Sequence, residues 1–206
     1  MWRGAVLAPA AVATWLVAAT DAAANCTVDL DVRPRPEAVL DVVLQAPCMA
    51  GAAVVLRHEG LVVGDKLDQA GLLALSFPAL GQGGVEITLP GGQRIRQVAE
   101  VPDLGTRHHL ALQWQGQDGL SLIASGQRPE ILGDPDADWP MLAQVIAVSG
   151  DVQVDADVTP ATCGRDLLGE TLELRNGELQ VRELTVAMPD CEAAAGMVVV
   201  PDLLAD

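Results

Sequence analysis

Hydrophobic and polar positions alternate with a period of two along much of this chain. Val28, Leu30 and Val32 interleave with Asp29 and Asp31, which predicts a strand with one buried and one solvated face. Ala38 to Leu44 and Ala52 to Leu56 are aliphatic, β-branched runs, and His58-Glu59-Gly60 reads as a hairpin turn into Leu61-Val62-Val63. Further strands are expected at Leu72 to Phe77, Val85 to Leu89 and Ile95 to Val101, the last two separated by the turn residues Pro90-Gly91-Gly92. Leu110, Leu112 and Trp114 share one face of another strand, with His109, Ala111 and Gln113 on the other. Turn signals at roughly ten-residue spacing point to an all-β fold, an antiparallel sandwich in place of βαβ units.

The pattern then breaks. Ser125 to Pro140 contains Gly126, Pro129, Gly133, Pro135 and Pro140 together with Asp134, Asp136 and Asp138, a linker composition. Alternation resumes at Val152 to Val158; Leu172 to Leu174 and Leu179 to Ala187 flank Asn176-Gly177, the strongest hairpin signal in the chain, and Val198-Val199-Val200 closes the series. The expected organisation is a signal peptide over 1–24, a β-sandwich domain over 25–124, an acidic Pro/Gly linker loop over 125–140 and a second, smaller β-module over 141–206. Two phrases recur between the halves: Val28 to Pro34 matches Val154 to Pro160, and Val101-Pro102-Asp103-Leu104 matches Val200-Pro201-Asp202-Leu203. Either a β-module was duplicated, or Val/Asp strands and Pro-Asp turns recur through composition alone.

The N-terminal segment has the order of a secretory signal. Met1-Trp2-Arg3 is a cationic start, Ala5 to Ala19 is apolar apart from Thr14, and Ala22-Ala23-Ala24 supplies small residues for cleavage. The apolar run falls short of the ~20 residues that span a bilayer, so no membrane span is expected after cleavage. Asn25 stands before Cys26 where lipid modification wants a smaller residue. The expected destination is therefore periplasmic or secreted. Cys26, Cys48, Cys163 and Cys191 all follow the cleavage point, and an even number of cysteines in an exported chain reads as two disulfides. Of three connectivities, Cys26–Cys48 with Cys163–Cys191 is favoured because each pair brackets one local group of strands. Each bridge is worth roughly 3 kcal/mol in the chain-entropy account.

Composition narrows the partners. The 206 residues carry 12 Lys+Arg against 28 Asp+Glu, a formal charge of −16, and half are hydrophobic. A chain this apolar buries enough surface to fold. Its charge repels nucleic acid and anionic membrane surfaces, and no cationic cluster offsets that repulsion.

Catalytic signals are sparse. No serine lies in a Gly-x-Ser-x-Gly turn, and cysteines in disulfides offer no thiolate nucleophile. His58-Glu59 lacks the second histidine of a zinc-protease helix, and His108 and His109 point to opposite faces of a strand. Asp134, Asp136 and Asp138 occupy positions 1, 3 and 5 of a calcium loop, but Trp139 stands where the loop needs Gly and Val145 where it needs Glu. A weak Ca²⁺ contact at these three aspartates is the one cofactor reading; otherwise none is expected. The pairs Asp29/Asp31 and Asp155/Asp157 allow paired-carboxylate hydrolase chemistry, or else guard strand edges against aggregation. Among the aromatic residues, Trp114 and Phe77 fall in core positions. Trp139 lies in a loop, either as an exposed binding anchor or as a plug over the sandwich.

Cys26, Ala46-Pro47-Cys48, His58-Glu59-Gly60, Phe77-Pro78-Ala79-Leu80, Gln113-Trp114-Gln115-Gly116, Cys163-Gly164-Arg165-Asp166 and Pro189-Asp190-Cys191 together resemble a group of exported alphaproteobacterial proteins. Those proteins have no established activity and often carry the label "translocase". The resemblance covers nearly all of the chain after the signal. It departs at Ser125 to Pro140, where those proteins have a longer Gly- and aromatic-rich segment. Nothing in these residues supports the label, since neither membrane spans nor a phosphate-binding loop is present. Gly60 to Leu80 is also similar to the strand-turn-strand of carboxypeptidase-regulatory and prealbumin-like domains, which implies an Ig-like sandwich without catalysis. The combined expectation is a non-catalytic, exported binding or envelope-associated module whose partner is an unknown protein or envelope component. Addition of a partner strand to a free sheet edge would be a natural mode of recognition.

Overall fold

The computed structural model describes residues 27–192 and 196–204. Residues 1–26, with the expected signal peptide and Cys26, lie outside the described residues. The fold is all-β and every strand pair is antiparallel. No helix among the described residues is long and apolar enough to cross a membrane.

The first seven strands are β1 (Asp29–Arg35), β2 (Val39–Gln45), β3 (Ala53–His58), β4 (Leu61–Lys66), β5 (Leu72–Pro78), β6 (Val85–Thr88) and β7 (Arg94–Gln97). They form two sheets, ordered β1-β2-β5 and β4-β3-β6-β7. Alternation places Leu40, Val42 and Leu44 of β2 opposite Leu56, Val63 and Ile87 in a shared core. The hairpin at Glu59-Gly60 forms as expected: His58 pairs with Leu61, and both turn residues have positive φ, 49° and 91°. At the other side of the sandwich the Gln97 side chain donates to the Val32 carbonyl at 3.3 Å, linking β7 to β1.

The second seven strands are β8 (His108–Gln115), β9 (Leu120–Ala124), β10 (Met141–Ala147), β11 (Val152–Val158), β12 (Asp166–Arg175), β13 (Glu178–Ala187) and β14 (Gly196–Val200). Their sheets are ordered β10-β8-β12-β13 and β14-β11-β9. The Asn176-Gly177 turn joins β12 to β13, with φ of 54° and 80° and Arg175 paired to Glu178. Strand pairing crosses the expected linker. β8 lies between β10 and β12, and β9 pairs with β11, so the hydrogen-bonded sheets divide between residues 97 and 108. The recurring phrases occupy unlike places, Val28 to Pro34 along the edge strand β1 and Val154 to Pro160 from the central strand β11. Composition accounts for them better than a duplicated path.

In the sheet β10-β8-β12-β13, strands β8 and β10 and the second half of β12 are covered on both faces, while β13 is largely exposed. Leu110, Leu112 and Trp114 pack with Leu122 and Val154 of the β11 sheet. On the opposite face, Ala111, Ala143, Val145, Leu172 and Leu174 complete the core of the first sandwich. Two-sided burial explains why β10 has no alternating pattern: Leu142, Ala143, Gln144, Val145 and Ile146 are all buried.

A sheet buried this way meets the edges of its neighbours, whose backbone groups have lost water. Two buried glutamines, one on each face, supply the missing partners. Gln113 of β8 faces the edge strand β4: its Oε1 accepts the Val62 N–H at 2.8 Å, and its Nε2 donates to the Gly60 carbonyl at 3.3 Å and to Glu170 at 2.6 Å. Gln144 of β10 faces the edge strand β9: its Oε1 accepts the Leu122 N–H at 2.6 Å and its Nε2 donates to the Pro129 carbonyl at 2.7 Å. A side-chain amide carries the same donor and acceptor as a peptide group, so each glutamine stands in for a piece of a neighbouring strand.

Two buried histidines hold the connection from β5 to β6. His58 Nδ1 donates to the Gly84 carbonyl at 2.8 Å while its Nε2 accepts the Leu80 N–H at 3.0 Å, which requires the neutral Nδ1–H tautomer. His109 Nδ1 donates to the Ala79 carbonyl at 2.7 Å, and its Nε2 has no hydrogen-bond partner. Burial lowers the pKa of both from the ordinary 6.5, with Arg107 and His108 adding to the effect at His109.

Replacing Gln113 by Leu leaves the part-buried Val62 N–H unpaired and replacing Gln144 by Leu the buried Leu122 N–H; each change should cost about 1–3 kcal/mol in urea unfolding, the second more than the first. The exposed Gln115→Leu control should stay within about 0.5 kcal/mol. Equal small effects at all three positions would contradict the edge-pairing role. For the histidines, the folded state takes up protons less readily than the unfolded chain. Stability should therefore be full above pH 6.5 and decline as pH falls from there toward the lowered folded values. Denaturation midpoints across that range should fall less steeply in His58→Gln, because Gln does not titrate.

Candidate functional site

A groove opens where three separate turns of the second half meet. The end of β8 supplies Gln115 and the β8–β9 turn Gln117 and Asp118, the end of the acidic loop supplies Asp138 and Trp139, and the β11–β12 connection supplies Arg165. Its volume is about 490 Å³, within the range of roughly 300–1,000 Å³ typical of small-ligand sites.

Each turn is fixed from behind. Cys163–Cys191 is formed, with Cα atoms 4.9 Å apart, and ties the β11–β12 connection to the chain leaving β13. Gly164 N–H donates to the Pro189 carbonyl beside it at 2.8 Å. Arg165 follows directly: its Nε donates to the Ala161 carbonyl at 3.0 Å and its Nη2 to the buried carboxylate of Asp118 at 2.8 Å. The second expected bridge has one end, Cys26, outside the described residues; Cys48 is itself disulfide-bonded.

The acidic loop is an ordered joint against both halves of the molecule. Leu132 bridges Ala143 of β10 by two backbone hydrogen bonds, and the Asp134 N–H donates to the Gly64 carbonyl on the edge of β4 at 2.9 Å. Gly64 is required for this approach, since a Cβ there would stand 1.8 Å from the Trp139 carbonyl oxygen. Lys66, the single lysine of the chain, donates to the Asp136 carbonyl and pairs with the Asp134 carboxylate at 3.3 Å. Burial raises the pKa of the neighbouring Asp65, and the Asp134 charge adds to that rise. On the groove side, the Gly116 N–H donates to the Pro140 carbonyl at 2.6 Å.

Backbone contacts thus hold Trp139 in place while its side chain stays 72% exposed, so it does not plug the sandwich. Of the three aspartates of this loop, Asp138 lines the groove and Asp134 and Asp136 lie toward Lys66. Asp134 accepts the Asp136 N–H at 2.8 Å and pairs with Lys66, and no cluster of three or more His, Cys, Asp or Glu among the described residues has the arrangement to hold a metal.

The remaining candidates are dispersed. Asp29 and Asp31 lie on β1, where Asp31 pairs with Arg33 at 2.7 Å. Asp155 and Asp157 lie on β11 in the other half, Asp155 buried and bonded by Gln153 at 2.7 Å. None of the four lines the groove. His108 pairs with buried Glu173 at 2.8 Å, and Arg182 joins the same carboxylate at 3.3 Å. Sequence reasoning missed Asp118, Arg165, Gln115 and Gln117 as a group. Their turns lie over forty residues apart in the chain, and only the proximity of Arg165 to Cys163 hinted at a fixed position.

No family model matches the chain, and no curated protein sequence matches it.

Because Lys66 already neutralises Asp134, millimolar Ca²⁺ should leave the thermal midpoint unchanged. A rise in midpoint with Ca²⁺ concentration would show that the loop closes on the ion.

Proposed function

We propose that this protein is an exported, non-catalytic binding module, associated with the cell envelope, whose ligand enters the groove beside Trp139. The observation that carries the reading is the exposed indole, its backbone fixed against Gly64, at the mouth of a cavity where Arg165 pairs with the buried carboxylate of Asp118. A large aromatic side chain left in water at a fixed position is unfavourable for the free protein and suits contact with a partner. The 3 + 4 strand arrangement of the first sandwich agrees with the Ig-like, prealbumin-like reading, in which sandwiches act as scaffolds and loops carry recognition. Cys163–Cys191 is in keeping with an oxidising compartment outside the cytoplasm. Hydrolysis by the aspartate pairs would need facing carboxylates in one cleft, and β1 and β11 belong to different sandwiches.

Site-specific photocrosslinking in the native host tests this reading. A benzophenone side chain at the exposed Gln117 should form an adduct in the envelope, Trp139→Ala should abolish that adduct, and the same probe at Arg33 on β1 should not give it. Absence of an adduct at Gln117, or one indifferent to Trp139, would overturn the assignment of the groove.

A further inference from the structure

We infer that the groove binds a neutral carbohydrate, a short stretch of oligosaccharide stacked on Trp139; this rests on the groove being the binding site. The lining combines two recognition chemistries that few ligands match at once. Trp139 presents an apolar, π-rich surface, 72% exposed. Around it stand a carboxylate (Asp118), a guanidinium (Arg165), a second carboxylate (Asp138) and the amides of Gln115 and Gln117. A pyranose has an apolar C–H face to lay on an indole and a ring of hydroxyls, each both donor and acceptor. Carboxylates supply acceptors only, guanidinium donors only and amides both, so the set addresses every hydroxyl orientation.

Charge selects against the alternatives. Arg165 is neutralised by Asp118 at 2.8 Å, and Asp138 leaves the lining negative in a chain of formal charge −16. Phosphate, sulfate and uronic-acid ligands are repelled. A quaternary ammonium calls for several aromatic walls, and among the described residues Trp139 is the one aromatic side chain lining the groove. An apolar peptide anchor would seek a dry pocket, whereas this lining is dominated by polar side chains.

The polar groups are also pre-set. Arg165 is held by the Ala161 carbonyl and by Asp118, with Cys163–Cys191 two residues away. Of its five N–H donors, these two bonds leave others for a ligand. Fixing donors before binding reduces the ordering cost that weak, solvated ligands such as sugars cannot easily offset.

The test titrates the exported, processed protein with short malto-, cello-, xylo- and chito-oligosaccharides, and with oligogalacturonate as the anionic counterpart. Tryptophan emission and calorimetry serve as readouts. At least one neutral series should shift the emission to the blue and bind. Trp139→Ala should weaken that binding by about tenfold or more, Trp139→Phe should retain part of it, and Asp118→Asn should reduce it with the fold intact by circular dichroism. Oligogalacturonate should not bind. Binding of no neutral series at millimolar concentration, or equal binding by wild type and Trp139→Ala, overturns the carbohydrate assignment. If the Gln117 adduct persists in that case, the groove reading survives and only the ligand class falls; if the adduct is also absent, both fall.

Discussion

The structure depends on one constraint: strands buried on both faces bring edge strands of neighbouring sheets into a dry interior, where each unpaired peptide group is costly. β8 and β10 resolve this with glutamine. Gln113 serves the edge of β4 and Gln144 the edge of β9, and the two sit on adjacent strands, each one register position from the other's cross-strand partner. Each side chain imitates the peptide group that a further strand would have offered. The sandwiches can therefore stack without merging into one continuous sheet. Small residues at the contact, Ala111, Ala143 and Gly64, let the layers come close enough for the amides to reach.

The same contact builds the groove. Gly64 accepts the carbonyl of Trp139 against its bare Cα, Lys66 grips the acidic loop, and Gly116 meets Pro140 from the far side. The acidic segment is thus clasped between β4 and the β8–β9 turn, and the indole is what projects from the clasp. On the opposite wall the disulfide fixes the turn that carries Arg165. An interaction as weak as an exposed ion pair contributes little stability. The buried end of the Asp118–Arg165 pair matters instead as a positional constraint, because it joins two turns distant in sequence.

Much of the fold was legible from local signals. Glu59-Gly60 and Asn176-Gly177 adopt the positive φ angles that two-residue hairpins need; alternation located β1, β8 and β11, an aliphatic run β2, and the Asn-Gly turn β12 and β13. β9 and β10 escaped because alternation reports a strand with one wet face, and β10 has none. The segment 125–140 looked like a linker because its Gly and Pro content is that of a loop, yet Gly133 and Asp134 seat it against Gly64 of β4. Of the candidate site, Trp139 was legible as a loop aromatic and Cys163–Cys191 as a local bridge. The choice between anchor and plug hinged on Gly64, seventy-five residues away, and the partnership of Asp118 with Arg165 is set by tertiary packing that no local pattern encodes.

The approach of the Trp139 carbonyl to Gly64 has a consequence for what happens when the chain is cut. The wall of the groove is held by a strand from the other sandwich, so the groove is a property of the joined molecule. A protease that severs the chain between residues 97 and 108 and lets the halves part would strip the acidic loop of its seat against β4 and expose the edge that Gln113 covers. The product would be a pair of fragments without the groove's supported wall, so a single cut in that connection would undo a site whose own residues all lie in the other half.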